Sequence, residues 1–223
     1  MDELSGEPDA SKALTDESVF EGWPALLWGR EKELAERLMS AVEDGDTHKA
    51  DVVLDEYCAA FPEKAMAILN VRKTNQRCEF PLAIAASLND VSTMQLLISR
   101  GCCLRCQTAS NESALHFAAI TGSLDAVELL LDKGLTEFLF VPSSSAGDLL
   151  VDQVLDELTD CVESNESDAA VSLEAVALRI LDAGPHCARE TAERVSAVAW
   201  DSICADLQES LADVVARARR NRR

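Results

Sequence analysis

A pattern of residues that occurs twice, 33 positions apart, constrains the fold of this chain more than any other feature. Residues 80–101 and 113–134 each begin with an apolar, alanine-rich run, pass through a polar turn to an aliphatic run and end with a glycine. Matched positions with this spacing include Leu82 and Leu115, Ala85 and Ala118, Leu96 and Leu129, and Gly101 and Gly134. A fixed period of this length indicates stacked units that are each built from a pair of helices. Because one unit cannot bury its apolar side alone, about three neighbouring units are needed.

A weaker copy precedes the two clear ones. Residues 34–74 contain a turn at Gly45 and an aliphatic run at 52–54, but the distance to the next copy exceeds 33 residues. The additional residues fall at 58–69. They predict either a long second helix that is broken at Pro62 or an extra short helix.

Another weak copy follows them. Apolar residues at helical spacing predict one helix over about 147–162 and a second over 171–181, which ends before Gly184 and Pro185. The chain is therefore expected to form about four helix pairs. The expected repeats are a degenerate one at 34–74, clear ones at 75–107 and 108–140, and a degenerate one at 147–186.

The predicted repeat domain covers residues 19–216 as one unit, after an acidic tail at 1–18 that contains too little apolar surface to order. Phe20, Trp23 and Trp28 open the domain. One interpretation is that these aromatic side chains seal the end of the helical stack, as an N-terminal cap. The other is that they form a linear motif that docks in a groove of a partner.

At the other end, residues 187–216 have an apolar face at helical spacing and predict C-terminal capping helices. Residues 217–223 form a basic tail. One interpretation is that its arginines interact favourably with the negative end of the last helix. The others are that they form a nuclear-import or protein-docking patch, or that they contact nucleic acid. The acidic remainder of the chain disfavours contact with nucleic acid.

Charge restricts the class of partner. The chain carries 20 lysines and arginines against 40 aspartates and glutamates, which gives a formal net charge of −20 at pH 7. An acidic surface repels nucleic acid and anionic membranes, so neither is expected as a direct partner, and a protein with a basic surface is favoured. The sequence contains no Gly-rich phosphate loop, Ser/His/Asp constellation or His/Glu metal pair, so neither an enzyme nor a cofactor is predicted.

Eight cysteines raise the question of covalent staples. The acidic N-terminus does not resemble a secretory signal and the chain is long enough for an apolar core, so reduced thiols in the cytosol or nucleus are expected. Cys102, Cys103 and Cys106 form a cluster, and Cys78 lies one repeat earlier. These residues are either small buried side chains with one or two exposed thiols, or the centre of a metal-binding or redox-responsive protein.

The two clear copies resemble the ankyrin repeat, whose pattern is Thr-Pro-Leu-His, x-Ala-Ala, Gly, an aliphatic second helix and a final Gly-Ala. Residues 108–134 match it through Ser113-Ala114-Leu115-His116, Ala118-Ala119, Gly122 and Gly134. Residues 75–107 match in part, with Phe80 for the threonine, Ala83 for the histidine and Asn89 for the middle glycine. The resemblance implies an all-α ankyrin-type solenoid. It also implies a non-catalytic, monomeric module or scaffold that binds a protein through its loops and its concave helix face.

By the same resemblance, contacts with the partner come from the projecting loops and the first helix of each pair. The corresponding residues here are Arg72, Lys73, Gln76, Arg77, Glu79, Ser87, Leu88, Gln107, Ser110, Glu112, Ile120 and Thr121. Leu88 and Ile120 are expected to act as apolar anchors and Arg77 as a charged hot spot.

Other matched residues have structural expectations. Ser113 is placed to cap a helix, Asn111 tolerates a left-handed turn, and Gly101 and Gly134 are expected to end second helices in that conformation. His116 is expected to bond to backbone or to a neighbouring hydroxyl inside the stack, because neither a second histidine nor a paired carboxylate accompanies it.

Overall fold

Eight α-helices, arranged as four consecutive pairs, make up the part of the chain that the structure describes. The structure is a computed structural model that describes residues 29–72, 79–143, 149–164 and 166–184. The helices are α1 (Arg30–Glu43), α2 (Thr47–Ala60), α3 (Pro81–Ser87), α4 (Val91–Ser99), α5 (Ala114–Ile120), α6 (Leu124–Asp132), α7 (Leu150–Glu163) and α8 (Ser167–Ala183). Short 3-10 helices lie at Pro62–Lys64, Ile68–Asn70 and Leu135–Phe140. The described residues form no strand, which confirms the expected all-α class.

The helices form two rows. α1, α3, α5 and α7 pack side by side in one row, α2, α4, α6 and α8 pack in the other, and the two members of each pair pack on each other. Apolar side chains from all eight helices join in a single buried cluster. Each unit therefore contacts its neighbours, as in a helical solenoid.

Small side chains allow the central pairs to approach closely. α3 and α5 are only seven residues long, and residues 81–86 and 114–119 are all buried. The matched alanines of these helices have no exposed surface. These residues are Ala85, Ala86, Ala118 and Ala119. Because almost the whole of α3 and of α5 is enclosed, only the C-terminal residue of each, Ser87 or Ile120, is partly exposed.

Carboxylates begin two of the second helices. The Asp46 side chain accepts a hydrogen bond of 2.9 Å from the Lys49 amide at the start of α2. Asp90 does the same for the Thr93 amide of α4 at 3.1 Å. Each bond satisfies an amide that has no partner within the first turn of the helix.

The insertion near residues 58–69 contains 3-10 turns and no further α-helix. α2 ends at Ala60, and Pro62 opens the first of the two 3-10 helices. Pro62 cannot donate to a continuing helix, so the break at this residue is confirmed. Ile68, Leu69 and Val71 are buried and fix the insertion to the core.

The expected left-handed residues are confirmed. Gly101 and Gly134 each have a φ of 87°, and Asn111 has a φ of 61°. The last two helices lie close to their predicted bounds, although α8 begins at Ser167 and is therefore longer at its start than expected.

Several predictions concern residues outside the described part. They are the acidic tail at 1–18, the aromatic residues Phe20, Trp23 and Trp28, the capping helices at 187–216 and the basic tail at 217–223. Within the described ranges, no helix combines the length and apolar character that crossing a membrane requires.

Candidate functional site

The predicted contact residues divide into three groups. Lys73, Gln76 and Arg77 lie outside the described residues. A second group surrounds the loop between α4 and α5, and consists of Arg72, Gln107, Ser110 and Glu112. A third group lies at the C-terminal ends of α3 and α5, and consists of Ser87, Leu88, Ile120 and Thr121; we call it the helix-end patch. Glu79 lies half-buried just before α3.

The loop before α5 is a tight hairpin over residues 107–113. Gln107 and Ser113 face each other in an antiparallel bridge. Inside it, the Thr108 amide donates to the Glu112 carbonyl at 2.8 Å, and the Asn111 amide donates to the Thr108 carbonyl at 3.1 Å. The positive φ of Asn111 closes this turn. Ser110 is therefore exposed at the tip of a hairpin whose shape its own backbone determines.

In the second group, the side chains of Arg72, Gln107 and Glu112 form hydrogen bonds that stabilise the hairpin. Gln107 Nε2 donates to the Asn111 carbonyl at 3.0 Å, and Thr108 Oγ1 donates to the Glu112 carboxylate at 3.4 Å. Arg72 is half-buried, and its guanidinium donates to the Gln107 carbonyl at 2.6 Å. Arg72 thus links the 3-10 insertion to the base of the hairpin.

The helix-end patch is continuous across two repeats. The Ser123 hydroxyl donates to the Ser87 carbonyl at 3.2 Å, which ties the end of α3 to the turn after α5. Leu88 is 50% exposed and Ile120 is half-buried beyond it. At the edge of the patch, Asn89 Nδ2 donates to the exposed Asp125 carboxylate at 3.1 Å. The patch therefore offers an apolar centre with an acidic edge.

The hairpin and the helix-end patch lie at opposite ends of the first helices. A helix of seven residues is about 10 Å long. The side chains between the two groups, at positions 114–119 of α5, are buried. A partner that uses both groups would have to cross this closed surface.

His116 forms a buried cap. The Ser113 amide donates to its Nδ1 at 3.2 Å, and the Ser113 hydroxyl lies 2.9 Å from the same nitrogen. This confirms the expected bonds to backbone and hydroxyl. Burial lowers the pKa of His116 to about 4, although the backbone of Val141 opposes the shift. The imidazole is therefore neutral at pH 7 and stabilises the start of α5.

Cys103 and Cys106 are half-buried in the turn between α4 and the hairpin, and Cys102 is buried beside them. Among the described residues, no group of three or more His, Cys, Asp or Glu side chains is arranged to hold a metal ion. Cys78 lies outside those residues.

Two residues near the hairpin were not identified from the sequence. Asn70 accepts a hydrogen bond of 2.9 Å from the Cys103 amide, and Arg105 forms an ion pair of 2.6 Å with Glu137. Asn70 belongs to the insertion, which has no counterpart in the clear repeats, so their period contained no signal for it.

Comparison with known families identifies the architecture. Residues 38–137 match the family model described as ankyrin repeats in three copies. Residues 38–137 are ankyrin repeats. The match begins inside α1, which shows that the weak copy before the two clear ones is also a repeat of this kind. No curated protein matches the sequence. Ankyrin repeats in general are protein–protein interaction modules and typically lack catalytic activity.

Proposed function

We propose that this chain is a non-catalytic interaction module, or scaffold, of the cytosol or nucleus that binds a protein with a basic surface. Three ankyrin repeats support the general class. The observation that carries the proposal further is the half-exposed Leu88 in a patch that two repeats build together. An apolar side chain at the centre of a patch with polar neighbours is suited to act as the anchor of a protein contact.

Charge supports a basic partner. Residues 124–184 contain fourteen aspartates and glutamates but only Lys133 and Arg179 as basic residues. Ion pairs inside this region cannot neutralise such an excess. Eight of these carboxylates are on exposed side chains of α6, α7 and α8. They are Asp125, Glu128, Asp132, Asp156, Glu157, Asp160, Asp168 and Asp182. A positively charged protein would be attracted to this surface, and salt would weaken the attraction.

Within this proposal the helix-end patch supplies the apolar anchors. Leu88 and Ile120 are its apolar members, and Ser87 and Thr121 lie beside them. Arg77 would add the charged hot spot, and Ser110 at the hairpin tip, Lys73 and Gln76 would make secondary contacts. A central apolar anchor that is excluded from water contributes more to affinity than polar contacts at the rim.

The test is differential capture with immobilised full-length protein. Proteins from a cell extract are captured on wild type, on Leu88→Asp and on Val171→Asp, and are identified by mass spectrometry. Val171 is the matched control, because it is 64% exposed on α8 and lies outside the patch. We expect a set of proteins that wild type and Val171→Asp retain but Leu88→Asp loses.

A partner from that set is then purified and titrated by calorimetry. Loss of an anchor of about 2 kcal/mol weakens binding about 30-fold. Circular dichroism checks that Leu88→Asp is folded. Equal capture by all three proteins would exclude the helix-end patch as the binding site. An affinity that does not fall as the salt concentration rises would exclude a basic surface on the partner.

A further inference from the structure

A turn of four residues brings two thiols together directly before the hairpin. Cys103 and Cys106 are separated by Leu104 and Arg105, which form the turn. Each of the two thiols shifts the pKa of the other. Both cysteines therefore lie at the two ends of one turn of backbone.

Other elements hold this turn from three sides. Asn70 Oδ1 accepts from the Cys103 amide at 2.9 Å and faces the Cys106 thiol at 3.9 Å. Arg105 is paired with Glu137 at 2.6 Å. Beyond the turn, Arg72 holds the Gln107 carbonyl. The insertion and the following repeat thus fix the positions of both thiols.

The surroundings make the two sulfurs unequal. The Cys106 thiol, the amides of Arg105 and Cys106 and the Arg105 guanidinium lower the pKa of Cys103 below its ordinary range, against the effect of burial. The pKa of Cys106 is raised, because its thiol donates to Cys103, because it is buried, and because a negative sulfur lies beside it. One sulfur is thus the thiolate and its neighbour stays protonated.

Two further cysteines, Cys102 and Cys161, have pKa values that are shifted in the opposite direction to that of Cys103. Burial, and then the charge of Cys103, raises the pKa of Cys102 to about 12. The pKa of Cys161 is also raised, first by burial and then by the negative charges of Glu166, Glu157 and Asp160. Since the thiolate is the reactive form of cysteine, Cys103 is expected to react faster than Cys102 and Cys161.

We propose that Cys103 and Cys106 form a redox-active dithiol that closes to an intramolecular disulfide by exchange with a small disulfide such as oxidised glutathione. In the first step the Cys103 thiolate attacks one sulfur of glutathione disulfide, forms a mixed disulfide and releases one glutathione thiolate. That thiolate takes the proton of Cys106. The Cys106 thiolate then attacks the Cys103 sulfur and displaces the second glutathione thiolate. The protein dithiol is oxidised by two electrons, and one glutathione disulfide is reduced to one thiol and one thiolate, which takes a proton from water.

Oxidation alters the support of the hairpin. The disulfide removes the negative sulfur that the amides of Arg105 and Cys106 face, and it removes the thiol that faces Asn70. These contacts lie immediately before Gln107, where the hairpin begins. The redox state of the pair therefore acts on the loop that carries Gln107, Ser110 and Glu112, whether or not a partner binds there.

The first experiment treats full-length reduced protein with glutathione disulfide and maps cysteines by peptide mass spectrometry. We expect a peptide that spans 103–106 and has lost two hydrogens. Cys106→Ser should stop at the first step and accumulate glutathione on Cys103. Cys103→Ser should gain none on Cys106. Cys58→Ser, at another half-buried cysteine, should behave as wild type.

A second experiment uses wild type alone and does not depend on the folding of variants. Alkylation by iodoacetamide at pH 6.5 should modify Cys103 at least about tenfold faster than Cys161, because an ordinary thiol with a pKa of ~8.5 is almost fully protonated there. Alkylation of Cys103 at the rate of Cys161 would overturn the proposal. Stable glutathione adducts in wild type without a 103–106 disulfide, or a disulfide that joins other cysteines instead, would also overturn it.

Discussion

The first helices of the two clear repeats, α3 and α5, occupy equivalent places in the stack but begin in different ways. α3 starts at Pro81, and the residue before it, Phe80, is extended and 1% exposed, with no side-chain cap. α5 starts after Ser113, which forms a reciprocal capping box with His116. Both helices nevertheless have seven residues and bury the same positions.

The difference shows that the repeat requires a fixed start to the first helix but not a particular chemistry for it. Pro81 restricts Phe80 to an extended backbone and has no amide to satisfy at the first helical position. The Phe80 ring then anchors the start by apolar burial. In the next repeat, the His116 ring accepts from the Ser113 amide, and the Ser113 hydroxyl lies within hydrogen-bond distance of the same ring nitrogen. Burial of an apolar ring and a network of hydrogen bonds are thus alternative ways to fix the start of the first helix of a repeat.

The turns after these helices differ in a second way. Asn89 and Gly122 stand 33 residues apart, with φ values of 54° and 71°. The Asn89 side chain accepts from the Ala126 amide at 2.9 Å and so caps α6 in the next pair. At Gly122 a Cβ atom would lie 3.0 Å from the Ser172 Cβ atom of α8. The packing of the following helix pair therefore determines whether a side chain fits at this position of the turn.

The largest expected effect is at the apolar start. Phe80→Ala leaves a cavity beneath α3 and should lower the free energy of unfolding by about 3–5 kcal/mol. Ser113→Ala, the matched change at the polar start, should cost only about 1 kcal/mol. Urea unfolding followed by circular dichroism measures both. Equal losses in the free energy of unfolding for Phe80→Ala and Ser113→Ala would contradict the distinction between an apolar and a polar start.

The next largest effect concerns how the free energy of unfolding depends on pH, because only the start of α5 contains a titrating group, His116. The pKa of His116 falls from 6.5 to about 4 on folding, so the unfolded chain binds the extra proton more readily. This stability is present above pH 6.5 and is lost as the pH falls towards 4, by about 3 kcal/mol at most. His116→Gln preserves a capping-box pattern and does not titrate. Parallel stability curves for wild type and His116→Gln between pH 7 and 4 would contradict the prediction.

The smallest effect is expected at the turns. Gly122→Asn introduces a residue that tolerates a left-handed backbone, as Asn89 does, so its cost reports the contact with Ser172. We expect a loss of about 1–3 kcal/mol from overpacking against α8. The reciprocal change Asn89→Gly removes the cap on α6 and the exposed hydrogen bond to Asp125, and should cost about 1 kcal/mol. Thermal unfolding measures both, and a neutral Gly122→Asn would mean that α8 does not pack closely at this turn.

The sequence predicted those features of the fold that depend on local pattern. Leu82, Leu115 and the glycines at 101 and 134 recur at one period, because each pair must fill the same layer and end its second helix in the same way. The capping role of Ser113 followed from its hydroxyl and its place before an apolar run. The end of α2 followed from the missing amide of Pro62.

Features that depend on a neighbouring pair were not predictable in this way. Asn89 was recognised as a replacement for glycine, but its bond to the Ala126 amide needs the position of α6. Asn70 lies in an insertion that has no repeat to compare with, so its contact with Cys103 was not expected. For the candidate site, the sequence indicated Leu88 and Ile120 as apolar anchors. The hydrogen bond from the Ser123 hydroxyl to the Ser87 carbonyl, which joins the two helix ends, depends on the packing of α3 on α5.

The bond from Asn89 to α6 also bears on how the stack unfolds. Asn89 belongs to the second helix pair, yet the helix it caps belongs to the third. If the second pair melts, α6 loses its cap and the Ser123 hydroxyl loses the Ser87 carbonyl at the same time. Stability in a solenoid is the sum of unit and interface terms, and here the interface includes the start of a helix. The second and third helix pairs are therefore expected to unfold cooperatively. Removing the second pair from the N-terminal side of the stack would destabilise the third pair.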